Sequence, residues 1–523
     1  MNIADEVKRM NTIRYPAPNG RSSSSASGTG ACAAAADRVP ARLRRGAGDR
    51  SRGRIVRALA LVLAMCASAA VHAAIPASQR QFLLNFYVQM YGQYWDSDAG
   101  WNGPPGTECS WYGVVCSPDQ STIVGLDLYD NWMYGTLPPL SALPDLRVLD
   151  LGANFFSGTF PSLAGVAQLE LLDLSQHPMY VVNHSPGMTG SLPALDGLVH
   201  LHTFHVRNNA LTGALPAFGA LPALRRYDVS SNALTGTIPA LTGLGSLELF
   251  NVARNQLEGS VPVIAGLASL IEVDFSQNRL TALGGPFEGL VALTGFSAAD
   301  NLIEGTLPSL TGAPNLQALN LARNRLAGGV AGLTACPRLR GIDLAGNRFE
   351  GPLPDLAALP AVEYFHGNDN AFSGSIPPIA GLNALIYFNV SNNRLTGTIP
   401  SFTGMAQLGE LRLDHNRLTG PLPSFDGLHA LSFFSASHNY LTGAIPMIAR
   451  IGLVEFDVAY NRLSGAPPVP PSFLDPGLSG LCPNALEPQP SLLWDTVTGT
   501  TPWYRDCAGA PDTLLADGFD ADP

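Results

Sequence analysis

The chain has 523 residues, of which 46% are hydrophobic and only 14% charged, and its formal net charge is −11. This length can bury a large core, and the hydrophobic fraction excludes an intrinsically disordered protein. The first 73 residues hold 12 of the 30 basic side chains and 4 of the 41 acidic ones, so the remainder carries a net charge of −19. An acidic surface repels phosphate backbones and anionic lipids, which excludes nucleic acid from the expected partners.

The N-terminal region has the features of a secretory signal. A cluster of arginines precedes an apolar run over residues 58–71, which ends in the small-residue sequence AVHA. This order predicts a signal peptide cleaved after Ala73, with residues 55–73 as its hydrophobic region. A retained signal anchor is the alternative, but the run is short and alanine-rich, so we expect no transmembrane span in the mature chain. Residues 1–54 are predicted to be disordered or to be a leader with a mis-assigned start.

One phrase repeats throughout residues 123–468. Clean copies are LRVLDLGANFFSGTFPSL from Leu146 and LIYFNVSNNRLTGTIPSF from Leu385. An asparagine recurs every 23 residues with two exceptions: His177 occupies one asparagine position before a nine-residue excess, and the last interval is one residue short. Fifteen repeats can be counted in this way. The recurring asparagines are Asn131, Asn154, Asn209, Asn232, Asn255, Asn278, Asn301, Asn324, Asn347, Asn370, Asn393, Asn416, Asn439 and Asn461.

The pattern LxxLxLxxN predicts a short strand followed by an asparagine in a ladder. The leucines alternate with period two, and a buried asparagine can bond the backbone of adjacent turns. The following LxGxIP segment supplies a glycine for tight backbone geometry and a proline that blocks a helix. We therefore predict an α/β repeat solenoid: a curved, twisted array of about 15 repeats of 23 residues, with a parallel sheet on its concave face and a cap at each end. The structural asparagines include Asn131, Asn154, Asn232, Asn255, Asn347, Asn393 and Asn416.

The phrase resembles the plant-type leucine-rich repeat found in receptor-like kinase ectodomains and polygalacturonase-inhibitor proteins. The GxIP element carries the resemblance, for example at Gly236–Pro239 and Gly397–Pro400. Three features depart from it: an insertion over residues 176–190, the sequence LTALGGPF after Asn278, and the lack of a kinase segment downstream. The signalling role of the family is therefore not carried over. Arginine in place of lysine and abundant alanine indicate a GC-rich genome and, with the leader, favour a bacterial exported member of this class.

The resemblance implies an N-terminal cap over residues 74–122, in which Cys109 pairs with Cys116 and Trp111 covers the first repeat. Cys482 and Cys507 bracket the segment after the last repeat. Residues 469–508 are predicted as a C-terminal cap and residues 509–523 as an acidic tail. Paired cysteines at both ends fit an oxidising compartment, so we expect a secreted or cell-surface protein, with the periplasm as the alternative.

Ligand contacts are expected on the concave sheet, at positions six, four and two before each ladder asparagine. Aspartate recurs in the middle column, where a solvating role is predicted. Two groups of outward-facing residues differ from this pattern, and aromatic rings beside hydrogen-bonding groups indicate a peptide or carbohydrate surface. The first group is Tyr364, His366, Tyr387, Asn389, Glu410, Arg412 and Phe433; the second is His205, Arg207 and Arg226.

No catalytic motif is present. The sequence contains no GxSxG, HExxH or GxxxxGK element, and no metal or cofactor is expected. Cys336 replaces a core leucine and is predicted to be a buried thiol. The sequence predicts a monomeric, non-catalytic, exported recognition scaffold that binds a protein or peptide through the concave face. A polysaccharide-binding or cell-wall-enzyme-modulating protein and a structural surface or adhesion protein are the alternatives.

Overall fold

The computed structural model describes residues 75–177 and 187–508, so most of the predicted insertion, residues 178–186, lies outside the described residues. The described chain forms a main sheet of sixteen strands that follow one another in sequence order. Its first pair is antiparallel and the later pairs are parallel. The predicted repeat solenoid is thereby confirmed. The strands are Val114–Cys116, Ile123–Asp127, Val148–Asp150, Leu171–Asp173, Thr203–His205, Arg226–Asp228, Leu249–Asn251, Glu272–Asp274, Gly295–Ser297, Ala318–Asn320, Gly341–Asp343, Tyr364–His366, Tyr387–Asn389, Glu410–Arg412, Phe433–Ser435 and Glu455–Asp457.

A second parallel sheet runs alongside the main sheet and was not predicted. The LxGxIP segments form most of its strands, and in many of them a glycine lies inside the strand in the left-handed region, as at Gly236 with φ 76°. Glycine adopts this conformation without the steric cost that a Cβ imposes. The nine strands are Thr212–Ala214, Ala233–Thr237, Gln256–Ser260, Arg279–Ala282, Glu304–Thr306, Arg325–Gly328, Arg348–Gly351, Ala371–Ser375 and Arg394–Thr396.

Two smaller sheets continue this second ladder towards each end of the repeats. Tyr134–Thr136 pairs with Phe155–Ser157 at the N-terminal end. At the other end four strands pair in sequence order, and an isolated bridge between Thr398 and Thr419 joins them to the nine-stranded sheet. These strands are Thr419–Gly420, Tyr440–Gly443, Arg462–Gly465 and Ala485–Leu486.

The core lies behind the main sheet, because the central residue of each three-residue strand points inward. Phe365, Phe388 and Leu411 are all fully buried. Since each turn contributes the same position, aromatic side chains stack along the solenoid. The rings of Phe204 and Tyr227 have centroids 5.4 Å apart, and those of Tyr227 and Phe250 are 5.5 Å apart. Leucines and phenylalanines therefore stabilise the fold by burying a continuous apolar column.

Tyr227→Phe should stabilise the protein by about 1 kcal/mol, because an unpaired buried hydroxyl is costly. Within the described part of the chain, the Tyr227 hydroxyl has no hydrogen-bond partner, and its ring lies between two phenylalanines. The measurement is the urea-unfolding midpoint followed by circular dichroism. Tyr504→Phe, at a tyrosine outside the phenylalanine column, serves as the control. A loss of stability in Tyr227→Phe would show that the hydroxyl is solvated in solution.

The ladder asparagines connect two successive turns through their side-chain amides. Asn232 donates from Nδ2 to the carbonyl oxygens of Val206 and Val229 at 3.1 and 3.0 Å, and its Oδ1 accepts from the Leu211 amide at 3.0 Å. The same pattern recurs along the ladder. Each amide therefore satisfies backbone groups that no strand partner reaches. At the first turn, Asn131 bonds Ser97 of the cap instead.

The ladder has one member beyond the predicted solenoid range of 123–468. Asn484 donates to the Val458 carbonyl oxygen at 2.8 Å and accepts from the Leu463 amide at 2.8 Å. It follows Asn461 by one full 23-residue period. The segment after the last counted repeat therefore begins with a further turn.

At the ladder position of His177, the neighbouring residue supplies the side-chain amide. The His177 ring stacks on Phe155 with centroids 5.4 Å apart, and the Asn154 carbonyl oxygen accepts from its backbone amide. The preceding Gln176 supplies an amide instead, which donates to Phe156 O at 3.1 Å and to Asn209 Oδ1 at 3.0 Å. A longer side chain one residue earlier thus provides the inward amide at this turn.

Both ends of the repeats are capped, and the α-helices of the described residues lie in these caps. The N-terminal helix Ala77–Gln89 buries Phe82, Leu83 and Phe86. The C-terminal helix Leu492–Thr498 buries Trp494, whose indole donates to the Pro468 carbonyl oxygen at 2.8 Å. None of the helices in the described residues has the length and apolar character needed to span a bilayer. Short 3-10 segments are Gly92–Tyr94, Glu108–Ser110, Leu140–Ala142, Ala331–Ala335, Leu356–Ala358 and Arg505–Ala508.

The four terminal cysteines lie at disulfide distance in the expected pairs. The Cα atoms of Cys109 and Cys116 are 5.5 Å apart, and those of Cys482 and Cys507 are 4.7 Å apart. Cys336 is a free, buried thiol. Burial raises its pKa to about 11, so it stays protonated and behaves as a core side chain.

Candidate functional site

The register of the main sheet brings the first predicted group together. Tyr364 pairs with Tyr387, and this column continues through Glu410 to Phe433. Neighbouring strands in a sheet lie about 4.8 Å apart, so these side chains form one continuous surface. His366, Asn389 and Arg412 make the adjacent column on the same three strands. We call Tyr364, His366, Tyr387 and Phe433 the aromatic patch.

The rings at the centre of the aromatic patch are held in place by stacking. His366 and Tyr387 have centroids 4.2 Å apart and an interplanar angle of 18°. Burial lowers the pKa of His366, against the opposing charge of Asp343, so the imidazole is neutral at pH 7. Burial and the charge of Glu410 raise the pKa of Tyr387 to about 12. The patch therefore offers neutral, pre-ordered rings to a ligand.

Arg412 is bound within the protein rather than free on the surface. Its Nη1 and Nη2 atoms contact the two carboxylate oxygens of Glu455 at 3.1 and 3.2 Å, and its Nε donates to Glu410. Burial opposes the charge of the guanidinium, but the two glutamates outweigh it and raise the pKa of Arg412. We call these three residues the Arg412 cluster. One cation beside two carboxylates leaves the cluster with a net negative charge.

Two of the predicted ligand residues are themselves buried. The Glu410 side chain is only 7% exposed. Asn389 is also buried, and its Oδ1 accepts from the Ser391 amide at 3.0 Å. They position the exposed groups instead of presenting their own polar atoms. Glu455 was missed by the sequence analysis, although it stands six residues before Asn461 and so belongs to the same column as Glu410.

The second predicted group is a separate surface. His205, Arg207 and Arg226 lie near the N-terminal end of the main sheet, and His205 Nδ1 is 3.4 Å from Asp173 Oδ2. Five strands separate Arg226 from Tyr364. At about 4.8 Å a strand the two groups are nearly 30 Å apart, so they do not form one site.

The recurring aspartates of the middle column have a structural role, which corrects the predicted solvating one. Asp228 accepts from the backbone amide of Ser230 at 3.0 Å and Asp274 from that of Ser276 at 2.9 Å. Asn251 does the same for Ala253 at 3.0 Å. A side-chain oxygen that accepts an amide two residues later fixes the turn at the end of each strand. Aspartate and asparagine share this ability, which explains their alternation in the column.

Two neighbouring aspartates of this column differ in their charge. Burial opposes ionisation of Asp173, but hydrogen bonds from His205 and Ser175 outweigh it and lower its pKa. Burial and the charge of Asp173 raise the pKa of Asp150 to about 7, against the hydrogen bond from Gly152.

Within the residues that the structure describes, no three acidic, histidine or cysteine side chains are grouped to hold a metal ion.

The comparisons with known proteins agree with this architecture. The family model described as Leucine Rich Repeat matches residues 384–405. The crystal structure of a TDR receptor is similar to the chain with a TM-score of 0.59 and 25% identity, covering 71% of this chain and 70% of that one. The ectodomain of the Arabidopsis receptor kinase HAESA is similar with a TM-score of 0.55 and 24% identity, covering 78% and 86%. No curated protein sequence matches the chain.

The fold and the repeat define the class: this is a leucine-rich-repeat protein. More particularly, its fold is similar to that of the ectodomain of the Arabidopsis receptor kinase HAESA.

Proposed function

We propose that this protein is an exported, non-catalytic recognition scaffold that binds a peptide segment of a partner through the aromatic patch. The His366–Tyr387 stack beside the Arg412 cluster is the observation that carries the proposal. Stacked rings give a ligand a large contact area at little cost in conformational entropy. The fold is that of the HAESA ectodomain, whose structure contains a peptide hormone ligand, which is in keeping with a peptide-binding role.

The charge of the surface favours a peptide with a basic side chain. The Arg412 cluster has one excess negative charge, and Asp343 lies close enough to His366 to affect its pKa. The excess negative charge of the cluster would attract a lysine or arginine of the ligand while an adjacent apolar residue packs on Tyr387. An acidic polysaccharide would be repelled by the same groups.

Export is part of the proposal. Disulfides persist in oxidising compartments, and both caps carry one. Together with the signal sequence expected before residue 74, they support passage out of the cytoplasm. Mass spectrometry of the protein recovered from the culture medium would give the cleavage site and the disulfides. Recovery of full-length, reduced protein from the cytoplasm alone would contradict export.

The peptide-binding role can be tested with a phage-displayed random peptide library selected on the full chain. We expect selected peptides to carry a basic residue, and Tyr364→Ala with Tyr387→Ala to weaken their binding at least tenfold in calorimetry. Ala318 and Gly341 occupy the same column on the two preceding strands, so the substitutions should be tolerated by the fold.

Arg226→Ala is the matched control, because it changes the same column far from the aromatic patch. It should leave the affinity unchanged. Equal affinity of the double tyrosine variant and the unaltered protein would remove the aromatic patch from the proposal.

A further inference from the structure

Exposed aromatic side chains gather at the flank of the first two repeats, away from the main sheet. Trp132 is 45% exposed and Tyr134 is 36% exposed, and Tyr91 at the end of the cap helix is also exposed. Contiguous exposed apolar groups on a soluble protein commonly mark a binding surface. We call Trp132, Tyr134 and Phe155 the flank cluster.

The flank cluster is ordered by ring stacking. The rings of Tyr134 and Phe155 are nearly parallel, with centroids 4.9 Å apart and an interplanar angle of 10°. Trp132 packs on the same Phe155 ring at 5.3 Å, and His177 stacks on it at 5.4 Å. Phe155 itself is buried, so it anchors two exposed rings in fixed orientations. Rings that are already fixed lose little freedom when a ligand binds.

The fold does not require aromatic residues at these positions. Trp132 and Phe155 each follow a ladder asparagine by one residue, and Tyr134 follows by three. At the third position after the asparagine, small polar residues or glutamate are the rule in later repeats. In the other repeats the residues one position after the asparagine are Ala210, Ala233, Gln256, Arg279, Leu302, Arg325, Arg348, Ala371, Arg394, Arg417, Tyr440 and Arg462.

A cleft opens beside the flank cluster where the cap helix meets the second ladder. Its volume of about 430 Å³ lies within the range of roughly 300 to 1,000 Å³ that small-molecule sites occupy. Gly135 allows this arrangement, because a Cβ there would lie 2.1 Å from the carbonyl oxygen of Gln89. The lining residues are Gln89, Tyr91, Tyr134, Gly135, Thr136, Phe155 and Ser157.

The chemistry of the lining selects the kind of ligand. Among the residues that the structure describes, no acid, arginine, lysine or histidine lines the cleft, so a phosphate, a carboxylate or an ammonium group would find no opposite charge from them. Amide and hydroxyl groups are abundant instead, from Gln89, Thr136 and Ser157, next to aromatic faces. A neutral sugar has this same combination, because its hydroxyls form hydrogen bonds at the ring edge while its C–H faces are apolar.

We propose that this cleft is a binding site for a neutral glycan. A sugar ring in the cleft packs on Tyr134, with Trp132 of the flank cluster beside the cleft, and its hydroxyls exchange hydrogen bonds with Gln89 and Thr136. The site is distinct from the aromatic patch, since it lies on the second ladder and the patch lies on the main sheet. Because the lining is uncharged, binding is insensitive to salt.

An array of neutral cello-, xylo-, manno- and chito-oligosaccharides, with galacturonate oligomers as acidic counterparts, tests the proposal on the full chain. We expect at least one neutral series to bind, with the same affinity at 50 mM and 500 mM salt. Trp132→Ala with Tyr134→Thr should weaken that binding at least tenfold in calorimetry. Alanine and threonine occupy these positions in later repeats, so the variant is expected to keep the thermal midpoint of a folded solenoid.

Tyr440→Ala is the matched control, because it removes an aromatic ring from the same column at the other end of the second ladder. It should bind the glycan as the unaltered protein does, and so should the Tyr364→Ala and Tyr387→Ala variant. The proposal is overturned if no neutral oligosaccharide binds, if only galacturonate oligomers bind, or if the flank-cluster variant retains full affinity.

Discussion

Asn416→Ala should lower the free energy of unfolding by about 3 kcal/mol, since several buried backbone groups lose their partner at once. The Asn416 amide is fully buried and donates to the carbonyl oxygens of Val390 and Leu413 at 2.9 and 3.2 Å. Its oxygen accepts from the Leu395 amide at 2.9 Å. Alanine leaves these three groups unpaired away from water. Urea unfolding followed by circular dichroism measures the change.

Asn383→Ala is the control for this prediction, because Asn383 is an exposed asparagine outside the ladder. Its substitution should change the free energy of unfolding by no more than about 0.5 kcal/mol. If Asn416→Ala lowered the free energy of unfolding as little as Asn383→Ala does, water would have replaced the ladder hydrogen bonds. A solenoid can also unfold in parts, so the loss should appear first in the repeats next to Asn416.

Asp150→Asn should stabilise the protein by about 2 kcal/mol at pH 8 and have little effect at pH 4. The folded-state pKa of Asp150, about 7, lies above its ordinary value of 3.8, so the folded protein binds this proton more tightly than the unfolded chain does. The stability that the proton confers is complete below about pH 4 and is lost as the pH rises to about 7. The expected gain is smaller than the full shift implies, because Asp150 is only half-buried and water screens its charge.

Asparagine already occupies the position of Asp150 in other turns, at Asn251 and Asn320, where it accepts the same backbone amide. The substitution therefore keeps the turn. Thermal unfolding between pH 4 and pH 8 measures the effect, with the exposed Asp196→Asn as a control that should leave the profile unchanged. Parallel pH profiles for Asp150→Asn and the unaltered protein would place the loss of stability at another group.

The solenoid could be predicted because equivalent positions of each repeat have the same residue types for the same physical reason. Leucines at Leu408, Leu411 and Leu413 must face the core, and Asn416 must end the strand, so the period alone defines the main sheet. The second sheet could not be predicted in this way. Its strands contain a glycine such as Gly236, which in a sequence indicates a turn.

The candidate site was predicted in part. The column from Tyr364 to Phe433 follows directly from the 23-residue period, so the sequence predicts that these side chains are adjacent. The hydrogen bonds from Arg412 to Glu455 could not be predicted, because they span two strands and depend on the conformation of a long side chain. The flank cluster could not be predicted from the main-sheet columns, because Tyr134 and Phe155 belong to the second ladder, which the repeat pattern did not predict.

The repeats between the flank cluster and the aromatic patch present small side chains on the main sheet, such as Gly295, Ala318 and Gly341. If both surfaces bind ligands, the repeats from Asn209 to Asn347 form a spacer whose units are all 23 residues long. Removing or adding one 23-residue unit would leave the side chains of either surface unchanged. It would alter the distance between them by one strand spacing, about 4.8 Å. The number of repeats thus sets the distance between the two bound ligands in discrete steps, without changing the affinity for either ligand.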